Sequence, residues 1–337
     1  MKNLSRRVLL LLIAVLSLPL QAESQMSAEL RANLVELGWK LFHDVRLSGN
    51  GAVACSHCHN LSLGGSDPRG HSLSVDGEPL RRNAPTVYNA VFNFRQTWDG
   101  HARTLKEQAA GVIVNPLEMG GHWPTILQRL NADADMVARF NEIFAQAVTK
   151  EGVTSALEAF EETLITLDTP YDRYISGDPD ALSESQLKGL ELFHSLGCNS
   201  CHNGAHLGGN QFQNRAIFYQ LGGDQDTTLV GHNNQLDIVG IEFHSPHVEN
   251  LSSEDQGRFE ITGEPQDRFV FKVPSLRNVA LTAPYFHDGT IATLDLAVKE
   301  MAAHQLGVVL TAQQSQLLVS FLTALTSDSL RQSGQSR

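Results

Sequence analysis

Two copies of the pentapeptide Cys-x-x-Cys-His contain every cysteine of this chain. Two thiols with this spacing lie about one helical turn apart, so both can add to the vinyl groups of one porphyrin. The histidine that follows then offers an imidazole nitrogen to the iron. The pattern therefore predicts two covalently attached haem c groups. Their residues are Cys55, Cys58 and His59 for the first group, and Cys198, Cys201 and His202 for the second.

The four cysteines also allow two interpretations other than haem attachment. They could bind one shared zinc ion, or they could form two short-loop disulfides. A zinc site of four sulfurs would not need His59 and His202 at matching places after each cysteine pair. The matching histidines favour haem attachment.

The N-terminus has the pattern of a secretory signal. Lys2, Arg6 and Arg7 precede an apolar run over residues 8–20, and Ala22 offers a small-residue cleavage point. The run is shorter than the roughly twenty residues that span a bilayer. We therefore expect residues 1–22 to be removed and the mature protein to be periplasmic, without stable insertion in the membrane. An uncut membrane anchor is the alternative.

The chain is acidic, with 25 Lys and Arg against 37 Asp and Glu and a formal net charge of −12. This balance argues against nucleic acid as a partner. It suits the docking of a small basic electron carrier, although an acidic surface also serves solubility alone. The composition leaves the oligomeric state open, with a homodimer as one option.

An internal repeat surrounds the two pentapeptides. The hexapeptides Gly38–His43 and Gly189–His194 precede them, and Leu63–Gly65 and Leu207–Gly209 follow them. The repeat indicates one duplication that produced two cytochrome c-like haem domains.

The predicted fold is mainly α, with long loops and very little β. The first haem domain is expected over residues 23–175 and the second over 176–337, with Thr169–Pro179 as the linker. The polar stretch Gly222–Gly263 is expected to form a long surface excursion. A capping box from Ser183 to Gln186 is expected to start one helix of the second domain. Other helices are predicted at Leu105–Val112, Pro124–Leu130, Asp135–Val148, Val153–Leu167, Leu294–His304 and Thr311–Leu325.

The second haem has one well-placed candidate for its other axial ligand. Met301 is the only methionine after Cys201, and it lies on a predicted helix. A thioether ligand raises the reduction potential and closes the iron to small molecules. His304, one turn further along, is the rival ligand.

No methionine of the first domain is placed as well. His71 follows the first pentapeptide within a glycine-rich segment and could bind the iron in a resting state. Otherwise the sixth position is open. Either arrangement makes the first haem the candidate for chemistry.

Several further segments, taken in order, give the chain a resemblance to the bacterial di-haem cytochrome c peroxidases. The resemblance covers nearly the whole mature length. The matching segments are Arg82–Thr86, Phe92–Phe94, Trp98–Gly100, Asn115–Met119, Gly257–Phe259, Phe271–Asn278 and Thr282–Gly289.

The resemblance implies roles for individual residues. Glu118 matches the carboxylate beside the peroxidatic iron, Gln108 a neighbouring amide, and Trp98 the indole between the haems. Met301 matches the methionine ligand of the high-potential haem. A calcium ion between the two domains is also implied. Its matching ligands are the Asn83 side chain and the backbone carbonyls of Thr282 and Pro284.

One position departs from the family pattern. The family's distal histidine lies eight residues before the asparagine that matches Asn83, and Val75 occupies that position here. His71 lies four residues earlier. The departure puts in doubt the inhibited resting state of the family and its activation by reduction.

The function implied by the resemblance is reduction of hydrogen peroxide to water. The electrons would come from a small cytochrome c or a blue-copper protein (a cupredoxin). One alternative is a di-haem oxidase of a partner protein, like the relative that builds the tryptophan-derived cofactor of methylamine dehydrogenase. That relative has tyrosine where Met301 stands. The other alternative is a di-haem electron carrier without catalysis.

Overall fold

The computed structural model describes residues 28–215, 228–232, 235–239 and 255–335. The predicted signal peptide, residues 1–22, lies outside the described residues, as does much of the predicted surface excursion Gly222–Gly263. Within that excursion the described residues include a short β-hairpin and one helical turn.

The described part of the chain is mainly helical, as the sequence predicts. The helices are α1 (28–42), α2 (Cys55–Cys58), α3 (Leu105–Val114), α4 (Trp123–Asn131), α5 (Ala134–Phe144), α6 (Lys150–Glu161), α7 (Pro170–Ile175), α8 (Glu184–Ser195), α9 (Phe259–Thr262), α10 (Leu294–Met301), α11 (Ala312–Thr323) and α12 (Asp328–Gln335). None of these helices is long and apolar enough to cross a membrane.

The strands of the described residues are short and form two separate pairs. They are β1 (Phe212–Asn214), β2 (Thr228–His232), β3 (Gln235–Val239) and β4 (Val270–Lys272). Strands β1 and β4 pair antiparallel, with Phe212 opposite Lys272. Strands β2 and β3 form an antiparallel hairpin.

Side-chain caps set the starts of several helices. The predicted capping box is present: Gln186 N–H donates to Ser183 Oγ over 3.3 Å, and Ser183 N–H donates to Gln186 Oε1 over 2.9 Å. Thr104 and Thr149 accept from the first turns of α3 and α6 in the same way. Each cap satisfies a backbone donor that the helix itself leaves free.

Two buried apolar clusters lie in the two halves of the chain. The first is built by α1 and α3 to α6 and includes Leu41, Phe42, Ile113, Phe140 and Leu157. The second is built mainly by α8, α10 and α11 and includes Phe193, Leu207, Ala302, Phe321 and Leu325. Each pentapeptide contributes its first cysteine to the margin of its own cluster.

The glycine that begins each repeated hexapeptide lies at a close contact between two helices. A Cβ at Gly38 would lie 1.9 Å from the backbone oxygen of Ala156, and a Cβ at Gly189 would lie 2.1 Å from that of Leu317. Only glycine allows the two helices to approach so closely. The hexapeptides therefore mark the same helix contact in each half.

Some predicted boundaries are wrong, for local reasons. Helix α5 ends at Phe144 rather than residue 148, because Ala145 adopts a left-handed conformation. Helix α6 spans Lys150–Glu161 rather than Val153–Leu167, since Thr149 caps it earlier. The predicted linker Thr169–Pro179 contains α7, which is not a loose connection.

The contacts of α7 tie it to the second half. Asp172 accepts two hydrogen bonds, of 2.9 and 2.7 Å, from the guanidinium of Arg277, whose side chain is buried. Asp172 also caps the same helix through Thr169. A bidentate pair of this kind fixes geometry as well as charge.

Candidate active site

The first pentapeptide forms a single helical turn, α2, with a backbone hydrogen bond of 2.9 Å from His59 N–H to the Cys55 oxygen. The turn places the two thiols on one side of the chain. His59 Nδ1 lies 3.2 Å from the Gly65 oxygen, to which it donates. Burial lowers the pKa of His59, so the ring is neutral and its Nε2 keeps a lone pair for a metal.

The second pentapeptide repeats this arrangement on a 3₁₀ turn, Cys198–Ser200. His202 N–H donates to the Cys198 oxygen over 3.0 Å, and its ring Nδ1 lies 3.4 Å from the Leu207 oxygen. Burial lowers the pKa of His202 to about 4. Both histidines are thus held as neutral imidazoles with Nδ1 engaged.

The cysteines fit thioether attachment of haem. All four are free of disulfides, and burial raises the pKa of Cys55 to about 12 and that of Cys198 to about 11. The described residues hold no group of three or more His, Cys, Asp or Glu side chains that could bind a metal ion.

Glu118 lies in the loop that follows α3, next to the first pentapeptide. Glu118 N–H donates to the Asn115 oxygen over 3.0 Å, and Val75 N–H donates to the Glu118 oxygen over 2.8 Å. Burial raises the pKa of Glu118, although Asn115 works in the opposite direction. Burial raises the pKa of Cys58, and the charge of Glu118 acts in the same direction, so the two groups lie within electrostatic range of each other.

Charged groups of the first half surround Glu118. Asp99 accepts hydrogen bonds from Arg82 and from His101 Nδ1, the latter over 2.7 Å. These partners hold the pKa of Asp99 well below its ordinary value even though burial opposes them. The hydrogen bond to Asp99 also raises the pKa of His101. An ionised carboxylate and one of raised pKa thus lie within electrostatic range of each other, an arrangement typical of acid–base sites.

Trp98 lies at the junction between the two halves. Its Nε1–H donates to the Asn83 oxygen over 2.8 Å, and its ring packs edge-on against His287 with centroids 6.4 Å apart. Its backbone oxygen accepts from Lys272 N–H over 2.7 Å. The indole therefore contacts the first half and the second half at once.

The contacts of this junction are reciprocal. Asn83 and Trp98 precede Lys272 and His287 by the same 189 positions (83 to 272, and 98 to 287). Lys272 N–H donates to the Trp98 oxygen, and Asn83 N–H donates to the His287 oxygen, both over 2.7 Å. The duplication thus extends well beyond the pentapeptides, with a local two-fold relation between Trp98 and His287.

Gln108 and His71 have less distinctive surroundings. Gln108 is half-buried on α3, and within the described residues no hydrogen bond joins its side chain to Glu118. His71 Nδ1 lies 2.7 Å from the Leu80 oxygen, inside its own loop. Both residues lie in the half that contains the first pentapeptide, and their contacts do not assign either of them a role.

Val75, at the departure from the family pattern, packs against the Glu118 loop. A Cβ at Gly120 would lie 2.9 Å from its side chain, and the Asn50 amide donates to its oxygen over 2.6 Å. An apolar side chain thus occupies this position beside the loop.

Met301 is the last residue of α10 and is half-buried, directly before a π-helical turn, Ala302–Leu306. Ala302 packs in the second apolar cluster together with Leu207, whose oxygen holds the His202 ring. The rival candidate, His304, has its Nε2 3.0 Å from the Glu300 carboxylate. These surroundings favour Met301 as the candidate ligand.

Asn83 and Pro284 meet where the halves join. The Asn83 amide nitrogen donates to the Pro284 oxygen over 2.7 Å, while its Oδ1 is buried and has no hydrogen-bond partner. Thr282 is two residues from Pro284 and places its backbone oxygen on the same segment. A buried amide oxygen without a partner is what a hard cation with oxygen ligands would satisfy.

Sequence reasoning missed three residues of this region: Asp99, Lys272 and His287. The signal that could have found Lys272 and His287 is the constant spacing that links them to Asn83 and Trp98. Asp99 belongs to the segment Trp98–Gly100, which was noted for its resemblance but given no role.

Comparison with known proteins places this geometry in a family. The profile of the di-haem cytochrome c peroxidase family matches residues 32–180. Cytochrome c peroxidase Ccp of Escherichia coli is 41% identical over 87% of this chain, which spans 58% of that relative's length. Cytochrome c551 peroxidase of Nitrosomonas europaea is 38% identical, with 92% of this chain and 84% of the relative aligned.

A solved structure shows the same architecture. A MauG-like protein associated with microbial copper homeostasis superposes with a TM-score of 0.73 at 28% identity, covering 88% of this chain and 90% of that one. The resemblance and the mainly helical fold predicted from the sequence are both confirmed. The chain belongs to the di-haem cytochrome c peroxidase family.

Proposed function

We propose that this chain is a periplasmic di-haem c-type peroxidase, which reduces hydrogen peroxide to water with electrons from a small cytochrome c or a blue-copper protein. The observation that carries the proposal is Glu118, a carboxylate of raised pKa beside the first pentapeptide. A plain electron carrier would need no such group. The names of the two relatives aligned above agree with this activity.

The reaction consumes two electrons and two protons for each peroxide and yields two waters. When bound, the haem groups supply the iron site for peroxide and the electrons that cleave its O–O bond. Glu118 accepts the proton of the inner oxygen and delivers it to the outer oxygen, which then leaves as water. Asn115 would help to position Glu118, whose N–H donates to the Asn115 oxygen over 3.0 Å.

The residues around the pentapeptides would hold the haem groups. Cys55, Cys58, Cys198 and Cys201 would form the thioether bonds, and His59 and His202 would bind the irons. Met301 would be the second ligand of the second iron, which closes it to peroxide. Val75 offers the first iron no imidazole, so in the active state this iron would keep a position that peroxide can reach.

Trp98 is proposed to shorten the path of electrons between the two haem groups. Support comes from its position at the junction, with Asn83 on one side and His287 on the other. Gln108 is proposed as a neighbouring polar group of the peroxide pocket, and His71 as a ligand of the first iron at rest. These last two assignments follow from sequence alone.

The test of the proposed function is peroxide turnover by the protein with both haem groups attached. Reduced cytochrome c should be oxidised on addition of hydrogen peroxide, with two cytochromes consumed for each peroxide. If the cytochrome stays reduced although the protein has its full haem content, the chain is not a peroxidase and the electron-carrier alternative remains. Peroxide-dependent oxidation of a partner protein without cytochrome turnover would favour the alternative oxidase.

We also propose that calcium binds between the halves, through Asn83 Oδ1 and the backbone oxygens of Thr282 and Pro284. The support is the buried Oδ1 without a partner, beside the Pro284 oxygen. Amide and carbonyl oxygens are ligands that calcium accepts.

Calcium should therefore stabilise the protein against heat, and Asn83→Ala should remove the effect. At free calcium 100-fold above its Kd, the expected gain is about 2.7 kcal/mol. Thermal unfolding with calcium and with a chelator measures the difference. Asn141→Ala, an exposed position on α5, is the matched control. An equal calcium effect in Asn83→Ala and in the control would remove Asn83 from the site.

A further inference from the structure

Lys272 is a buried cation that the proposed function leaves unused. Its residue is only 6% exposed, on strand β4. Burial alone lowers its pKa, to about 8, and no acidic residue counteracts this. Within the described residues, no carboxylate forms an ion pair with its ammonium. Since burying an unpaired charge is costly, a nearby anion that is not part of the chain is expected.

The position of Lys272 relates it to the second haem group. It lies two residues before Pro274, whose backbone oxygen is close enough to the His202 ring to act on its pKa. The next residue, Val273, accepts a hydrogen bond of 2.8 Å from Gly209 N–H, in the segment that follows the second pentapeptide. Burial lowers the pKa of His206, four residues after His202, and the charge of Lys272 acts in the same direction. The ammonium is therefore close to the second pentapeptide.

The duplication gives an independent argument. Asn83 occupies the position of Lys272 in the first half, and it likewise lies two residues before a proline, Pro85, whose oxygen acts on the pKa of the His59 ring. Asn83 has a buried oxygen suited to a cation, whereas Lys272 carries a positive charge of its own. With calcium bound at Asn83 as proposed above, each half would have a positive charge at the same point beside its histidine.

We propose that the Lys272 ammonium binds a propionate carboxylate of the haem group attached to Cys198 and Cys201. A haem c group carries two propionates, and these are the anions that the pocket would receive with it. The ion pair neutralises one of them beside the iron. Because a nearby positive charge favours the reduced iron, Lys272 raises the reduction potential of the second haem. The assignment rests on the proposed haem attachment, although not on peroxide as the substrate.

The test is a potentiometric titration of both haem groups, without peroxide, in Lys272→Gln, Lys272→Arg and Lys188→Gln. Lys188 is an exposed lysine of the same half, so its variant controls for the change in net charge. The potential of the second haem should fall in Lys272→Gln, stay near the wild-type value in Lys272→Arg, and be unchanged in Lys188→Gln. An unchanged second potential in Lys272→Gln, or a shift confined to the first haem, would overturn the proposal.

A second readout distinguishes a direct ion pair from a distant charge effect. With ¹³C-labelled haem propionates, the reduced-minus-oxidised infrared spectrum should show a carboxylate band that moves in Lys272→Arg. A band at the same frequency in wild type and Lys272→Arg would overturn the ion pair, even if Lys272→Gln fails to fold. The haem content of each variant, from its pyridine haemochrome spectrum, is measured first. Fewer than two haem groups in the wild type would instead contradict the proposed function.

Discussion

Glu118→Gln is expected to lower kcat for peroxide reduction by about 10²- to 10⁴-fold, the usual contribution of a positioned acid–base group. Glutamine keeps the size of the side chain and the contact with Asn115 but cannot accept the peroxide proton. Both haem groups should remain attached. Steady-state oxidation of reduced cytochrome c measures the effect. The control is Glu151→Gln, an exposed glutamate on α6.

The pH dependence of the rate of peroxide reduction is a second test of the role of Glu118. Burial raises the pKa of Glu118, so the carboxylate becomes protonated at a higher pH than an ordinary glutamate would. A protonated Glu118 cannot accept the peroxide proton. The rate should therefore fall as the pH is lowered through this raised pKa and level off above it. The residual rate of Glu118→Gln should lack that acid limb. Full activity in Glu118→Gln would remove Glu118 from the mechanism.

Met301→Leu is expected to lower the reduction potential of the second haem by about 0.1 V or more, because axial ligands move haem potentials over about 0.8 V. Leucine fills a similar volume but offers no sulfur to the iron. Redox titration monitored by absorbance measures the shift. The closed iron should also become able to bind added ligands.

Two controls make the Met301 result specific. Met136→Leu removes a buried thioether from the first apolar cluster and should leave the second potential unchanged. His304→Gln should have little effect, since the His304 ring is engaged by Glu300. An unchanged potential in Met301→Leu, together with a large shift in His304→Gln, would show that His304 is the ligand.

The sequence predicted those features that depend on local spacing. The pentapeptides and the capping box at Ser183 follow from residues near one another in the chain. Their geometry is set within one or two helical turns, which is the range over which sequence patterns are informative.

Features that arise from contacts between the halves were harder to predict. The helix inside Thr169–Pro179 is held by Arg277, more than a hundred residues away. The raised pKa of Glu118 depends on burial, and the pairing of Trp98 with His287 depends on how the two halves dock. The helix had a local signal that the sequence analysis did not use, the capping box from Thr169 to Asp172 with Pro170 between them. The raised pKa of Glu118 had no signal in the sequence. The pairing of Trp98 with His287 did have a signal in the sequence. The segments that contain these two residues are copies from the duplication, although their residue types have diverged.

The central claim is that one iron is open to peroxide while the other is closed. Electron paramagnetic resonance and absorbance spectra of the half-reduced protein, before and after addition of cyanide, test it most directly. The account predicts a five-coordinate high-spin first haem that binds cyanide, and a six-coordinate low-spin second haem that does not. Two six-coordinate low-spin haem groups, both unchanged by cyanide, would contradict it.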